Sequence, residues 1–317
     1  MATKEKIRFF CKEYSILLVL IIMMGVMTIL KPGQFMTGSN LLNILRQISV
    51  TGIIALGTAF PIIAKGIDVS GGSVVALSAV VTGTMVSSAG YHLSVAIALI
   101  IGLAVGLACG IFSGIMTAYG KVPPFITTLA VQLGARGLAQ IYTDGKPVTN
   151  FPDTFLFIGR GAILGIPVPI VIFLLMAVVT YIILHMTKFG SYTYAIGGNA
   201  TAALVSGINV KLIAALIYGF AGLMSALAGI ILAARSTSAL PSYGSGYEMD
   251  AITCVVIGGV SMNGGIGKVQ KMLIGIVIVG ILSNAMTMLM IDANWQTVVK
   301  GMVILLAVFF DQRRASH

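Results

Sequence analysis

Apolar residues run along this chain in long blocks separated by short polar breaks. A helix needs about 20 apolar residues to cross the hydrocarbon core of a bilayer, within a range of about 17–25. Blocks at 14–30, 41–64, 73–88, 93–118, 125–143, 163–186, 212–234, 272–290 and 297–310 read as membrane helices on this ground. A further stretch, 247–260, is short for a crossing and ends in Gly258-Gly259, so it reads as a tilted, broken or re-entrant helix buried in protein. The pattern predicts an all-α polytopic membrane protein of about ten transmembrane segments. The largest breaks, at 144–161 and 187–210, leave no room for a soluble catalytic domain, so residues 1–317 form one membrane domain.

Charge orders these blocks. Lys4, Lys6, Arg8 and Lys12 precede the first one, and its far end (Thr28 to Pro32) lacks the small-x-small pattern of a cleaved signal peptide. The first helix is therefore expected to stay, with residues 1–13 as a cytoplasmic tail. Ten crossings from that start place Lys65, Lys121, Lys188, Lys211, Lys268, Lys271, Arg313 and Arg314 inside as well, giving twelve of the nineteen Lys and Arg. Lys31, Arg46, Lys146, Arg160 and Arg235 fall at the outer side, and Arg136 and Lys300 within spans. Both termini are then cytoplasmic, in keeping with the positive-inside rule.

Composition narrows the class. The chain is 58% apolar and 9% charged, where a soluble domain carries about 25% charged residues. Soluble, secreted and disordered readings are excluded on that balance. The net charge of +10 invites a nucleic-acid reading, but its distribution makes it a topology signal instead, and no nucleic-acid partner is expected. Cys11, Cys109 and Cys254, like His92, His185 and His317, are too scattered for a disulfide framework or a metal motif.

Four polar or glycine-rich clusters carry the candidate chemistry. The first, Gly66-Ile67-Asp68-Val69-Ser70-Gly71-Gly72-Ser73, suits a hinge or pore-lining break, or an ordinary turn in which Ser70 or Ser73 caps the next helix. In the second, Glu248 and Asp250 open the short segment, as dipole-stabilising caps or as polar groups of a pocket. Between them in sequence, Gln132, Arg136 and Gln140 share one helix face. That face must meet a partner or a water-filled path, either by pairing Arg136 with Asp68 or Asp250 or by touching substrate. The third cluster is the loop 195–208, where Asn199 is placed to cap a short helix over 200–205 ended by Gly207, a docking element for a soluble partner. The fourth, Gly264-Gly265-Ile266-Gly267-Lys268, fails as a phosphate loop: Met262 stands where the first Gly belongs and Val269 where Ser or Thr is needed. No hydrolase or zinc-protease motif is present, so the chain reads as a non-enzyme. An ion-coupled secondary transporter or channel is the rival class, with Asp68 and Asp250 as its candidate carboxylates.

Four motifs, in order along nearly the whole chain, sharpen this reading: GIDVSGGSVVALSA (66–79), PPFITTLAVQLGARGLAQIYTDGKPV (123–148), YAIGGNATAALVSGINV (194–210) and GYEMDAITCVVIGGVSMNGGIG (246–267). Together they resemble permease subunits of ribose-type ABC importers, in the branched-chain-amino-acid/monosaccharide permease family. The resemblance implies a multi-pass protein of the bacterial cytoplasmic membrane, embedded in lipid and paired with a second permease as a homodimer or heterodimer. It further implies a separate ATP-binding subunit that uses ATP and Mg, no cofactor held by this chain, and an extracytoplasmic sugar-binding protein that delivers a monosaccharide, most simply ribose. Within 187–210, Gly197, Gly198, Asn199, Ala202, Ala203, Ser206 and Gly207 would form the ATPase-coupling segment. Asp68, Ser70, Ser73, Gln132, Arg136, Glu248 and Asp250 would line the translocation path. Gly71, Lys271, Asn284-Ala285, Thr253 and Cys254 depart from the usual pattern near the central helices.

Overall fold

A computed structural model describes residues 17–315. The basic tail, the start of the first block and His317 lie outside the described residues. Among the described residues the regular structure is helical, apart from one two-stranded hairpin and an isolated bridge between Val148 and Ala239. Its elements are α1 (Leu17–Leu30), α2 (Gly38–Ile63), α3 (Gly71–Val86), α4 (Val95–Ala118), α5 (Pro124–Thr143), α6 (Asp153–Arg160), β1 (Ala162–Ile163), β2 (Ile166–Pro167), α7 (Val168–Met186), α8 (Lys188–Val205), α9 (Val210–Ser236), α10 (Tyr247–Ile257), α11 (Val269–Met288) and α12 (Ala293–Ala315). β1 and β2 pair antiparallel, Ile163 opposite Ile166.

The expected count of about ten transmembrane segments is not supported. Among the described residues, six helices are long and apolar enough to cross a membrane: Gly38–Ile63, Val95–Ala118, Val168–Met186, Val210–Ser236, Val269–Met288 and Ala293–Arg313. The sequence blocks overcounted because apolarity alone does not separate a spanning helix from a short one buried in protein. α3 has 16 residues and α10 has 11, both sheathed by neighbouring helices. α5 has the length, at 20 residues, but Gln132, Arg136 and Gln140 dilute its apolar character. The sidedness that rested on ten crossings is withdrawn with the count.

α2 and α9 form the axis of the bundle. From Ile48 to Ile63 all but Thr51 of α2 is buried, and α9 is buried over most of its 27 residues. α4 docks on α9 through glycines at four-residue spacing. A methyl group on Gly106 would strike Ala226 and Gly222, one on Gly110 would strike the Tyr218 carbonyl, and one on Gly114 would meet Ala215. Small residues repeated on one helix face let two backbones touch, which substitutes for the hydrophobic driving force that lipid does not provide. Opposite that seam, Ile97, Ile100, Phe112 and Ile115 of α4 are exposed apolar side chains suited to lipid.

Two ends of the bundle matter for function. One gathers the C-terminus of α2, α8, the start of α9 and the 258–268 loop. The other gathers the N-terminal third of α2, the end of α9, the first turn of α10 and the start of α12.

Candidate functional site

At the first end, α8 is two helices joined at Asn199, whose backbone leaves helical geometry (φ −155°, ψ 104°). Its Oδ1 accepts from the Ala202 amide at 3.0 Å, and Gly207 closes the short helix with φ +86°, as the sequence predicts. Gly198, Asn199, Ala202, Ser206 and Gly207 are exposed, and Val205 is 84% exposed. Ala203 alone of the short helix turns inward, at 4% exposure. The longer arm is seated firmly. A side chain on Gly197 would collide with the Ile63 carbonyl, which itself accepts from the Gly265 amide at 2.8 Å. Tyr194 donates to the Gly267 carbonyl at 2.6 Å. Burial pushes the tyrosine hydroxyl up to about 12, so it keeps its proton and remains a donor at neutral pH. Phe189 stacks on Phe60 at 5.8 Å. A small exposed helix is thus wired by backbone contacts to the end of α2 and to the 258–268 loop.

Further along the bundle, the chain leaves α2 and enters α3 through 64–70. Asp68 is buried and accepts from the Ser70 amide at 2.9 Å and the Ser70 hydroxyl at 2.6 Å. Ser70 therefore does not cap α3 with its side chain; the hydroxyl is engaged by the carboxylate. Thr128 of α5 braces the same segment, accepting from the Val69 amide and donating to the Ile67 carbonyl. Ser73, in the first turn of α3, is buried.

The N-termini of α3 and α10 meet. A side chain on Gly72 would strike Glu248 Oε2 and the Gly244 carbonyl, and one on Gly244 would strike the Gly72 carbonyl. Gln132 donates to Glu248 Oε1 at 3.1 Å. Arg136 does not pair with Asp68 or Asp250. Its guanidinium donates to the carbonyls of Pro241 (2.6 Å), Tyr243 (2.7 Å) and Gly72 (3.4 Å). Planar, five-donor arginine suits such a carbonyl cage. Glu248 Oε2 is buried with no hydrogen-bond partner among the described residues. Gln140, on the same helix face, is exposed and stands apart from the cluster.

At the second end lies a polar cavity of about 380 Å³ lined by Asn43, Arg46, Gln47, Thr51, Arg235, Tyr247, Asp250, Ser283 and Lys300, among others. Lys300 Nζ and Asp250 Oδ2 form an ion pair at 2.8 Å across it, and Arg235 donates to the Arg46 carbonyl at 3.0 Å. Of the sequence-named path residues only Asp250 reaches this cavity. Gln132, Arg136 and Glu248 form the neighbouring cluster, and Asp68, Ser70 and Ser73 lie around the start of α3. Sequence reasoning missed Arg46, Gln47, Arg235 and Lys300. Their one signal is a charge or amide set inside or at the edge of an apolar block.

A small exposed helix on a close-packed seat, two short buried helices meeting end to end, and a polar cavity at the far end suit a solute-moving membrane protein. Residues 40–308 match the family described as branched-chain amino acid transport system / permease component. The chain belongs to this permease family. The permease is 47% identical over 300 residues to the ribose import permease protein RbsC of Bacillus subtilis (strain 168), covering 94% of this chain and 92% of the relative. It is 41% identical to RbsC of Escherichia coli (strain K12), covering 97% of both chains. The L-arabinose transport system permease protein AraH of the same strain is 38% identical, covering 95% of this chain and 90% of the relative. No solved structure matches the permease. It is a multi-pass protein of the cytoplasmic membrane and a permease component of an ABC importer, in which a separate subunit hydrolyses ATP.

Proposed function

We propose that this permease carries ribose across the membrane in an ATP-driven importer, receiving it from an extracytoplasmic binding protein. The relatives named for ribose import support the substrate. The observation that carries the coupling assignment is the contrast between Gly197, packed on the Ile63 carbonyl, and Gly198, where an added side chain would meet open space. A segment that transmits force from a soluble ATPase needs both a free contact surface and a rigid seat. The segment with Gly197, Gly198, Asn199, Ala202, Ala203, Ser206 and Gly207 has both. ATP and Mg act in that partner subunit.

The translocation path is proposed to run from the Asp250–Lys300 cavity past the Gln132–Arg136–Glu248 cluster and the Asp68–Ser73 entry to α3. A neutral sugar needs hydrogen-bond partners rather than net charge, and amides, hydroxyls and a self-neutralised ion pair provide them. A second permease, identical or a sister chain, and lipid would share the exposed apolar faces such as that of α12, which carries Trp295, Met302 and Leu305.

The test is uptake of labelled ribose by proteoliposomes holding the permease with its ATPase and binding protein, with arabinose and xylose as comparators. ATP-dependent ribose uptake is expected. Uptake that persists without the ATPase subunit, driven by an ion gradient, would overturn the reading.

A further inference from the structure

α12 has an unusually thin hold on the rest of the molecule. None of its described side chains is fully buried, and only its inward residues, such as Ala307 and Val308, touch the core. Among its contacts are two polar ones eleven positions apart, at Lys300 and Asp311. Lys300 pairs with Asp250 in the first turn of α10. One end further on, Asp311 Oδ2 accepts from the Met262 amide at 2.9 Å and the Ser261 hydroxyl at 3.3 Å. Ser261 and Met262 lie in the 258–268 loop that follows α10. The two carboxylate contacts therefore staple α12 alongside α10 near both of its ends, about 16 Å apart at 1.5 Å rise per residue.

The same loop is bonded to the coupling end. Gly265 donates to the Ile63 carbonyl, Tyr194 of α8 donates to the Gly267 carbonyl, and Gly197 packs against Gly265. Displacement of α8 is expected to carry the loop with it, through the close Gly197–Gly265 backbone contact and the Tyr194 hydrogen bond. The Asp311 carboxylate connects this loop to α12.

We propose that Asp311 is a positioning residue that passes movement of the 258–268 loop to α12, and through Lys300 to the Asp250 ion pair in the cavity. The carboxylate bonds two donors of one loop, so the α12 end follows the loop rather than sliding over it. Lys300, on the same rigid helix, then shifts relative to Asp250. The coupling stroke at one end of the bundle is thereby read at the cavity at the other. This inference rests on the ATP-driven import reading above.

The test compares Asp311→Ala, Asp311→Asn and Gln312→Ala in the complete importer, with ribose moved per ATP hydrolysed as the readout. Loss of a charge-assisted hydrogen bond of this kind predicts a fall of about tenfold in that ratio for Asp311→Ala. Asp311→Asn keeps one carbonyl oxygen to accept from Met262, so a smaller fall is expected, and Gln312→Ala leaves the ratio unchanged. A merely structural role would lower hydrolysis and uptake together, leaving their ratio intact. That result, or an unaltered ratio in Asp311→Ala, overturns the proposal. A wild-type importer that moves no ribose would count against the functional reading instead, so the two failures are distinguishable.

Discussion

Gly197 lies so close to the carbonyl of Ile63 that a single methyl group has no place between them. A methyl group on its neighbour Gly198 would instead point into open space. Adjacent glycines in one motif thus do opposite things, one closing a seam and the other leaving a surface open.

Gly197→Ala is expected to destabilise the folded permease, by about 1–3 kcal/mol for overpacking against backbone. Gly198→Trp should leave the melting temperature near wild type while abolishing stimulation of the ATPase and ribose uptake. Thermal unfolding in detergent and uptake in proteoliposomes separate the two. Normal uptake by Gly198→Trp would remove the coupling assignment.

Asn199→Ala removes the side-chain cap of the short exposed helix and is expected to cost about 1 kcal/mol of local stability. Asn199→Asp and Asn199→Ser keep an accepting oxygen and should retain most of it. Faster hydrogen exchange of the Ala202 amide in the alanine variant, restored by aspartate, is the expected pattern.

Breaking the Asp250–Lys300 pair from either side leaves a charge in a partly enclosed cavity. Asp250→Asn and Lys300→Gln should each lower the melting temperature and most of the uptake, while the double variant recovers part of the stability. A strictly additive double variant would show that the two groups do not act as a pair.

Arg136→Lys keeps the charge but loses the planar fork that reaches three carbonyls. A loss of roughly 1–3 kcal/mol is expected from carbonyls left without donors. Equal melting temperatures for the two proteins would place the guanidinium outside the clamp.

The features legible in the sequence are local ones. Asn199 and Gly207 could be read as cap and stop because a cap is made within three residues and a positive φ is a property of one residue. The short helix within 247–260 was legible for the same reason, through its length and its closing Gly258-Gly259. The Lys300–Asp250 pair spans fifty positions, and the Gly72–Glu248 contact joins two breaks from opposite halves of the chain, so no periodicity marks either. Arg136 shows the same limit: its helix face was legible, but its partners are backbone carbonyls, which every residue carries and no spacing reveals. The span count failed because α3 is as apolar as a crossing helix; only its enclosure by α4, α5 and α9 tells that its apolar surface meets protein.

The glycine seam between α4 and α9 has a mechanical consequence. Where backbone meets backbone there are no rotamers to change, so that pair has a single way to fit and behaves as a stator. The same holds where α11 meets α10, since Gly275 lies against the Cys254 carbonyl and the backbone of Gly258; α12, none of whose described side chains is fully buried, is the wall left with alternatives. That wall contributes Lys300 to the cavity lining, so on the proposed path the least embedded helix borders the polar space.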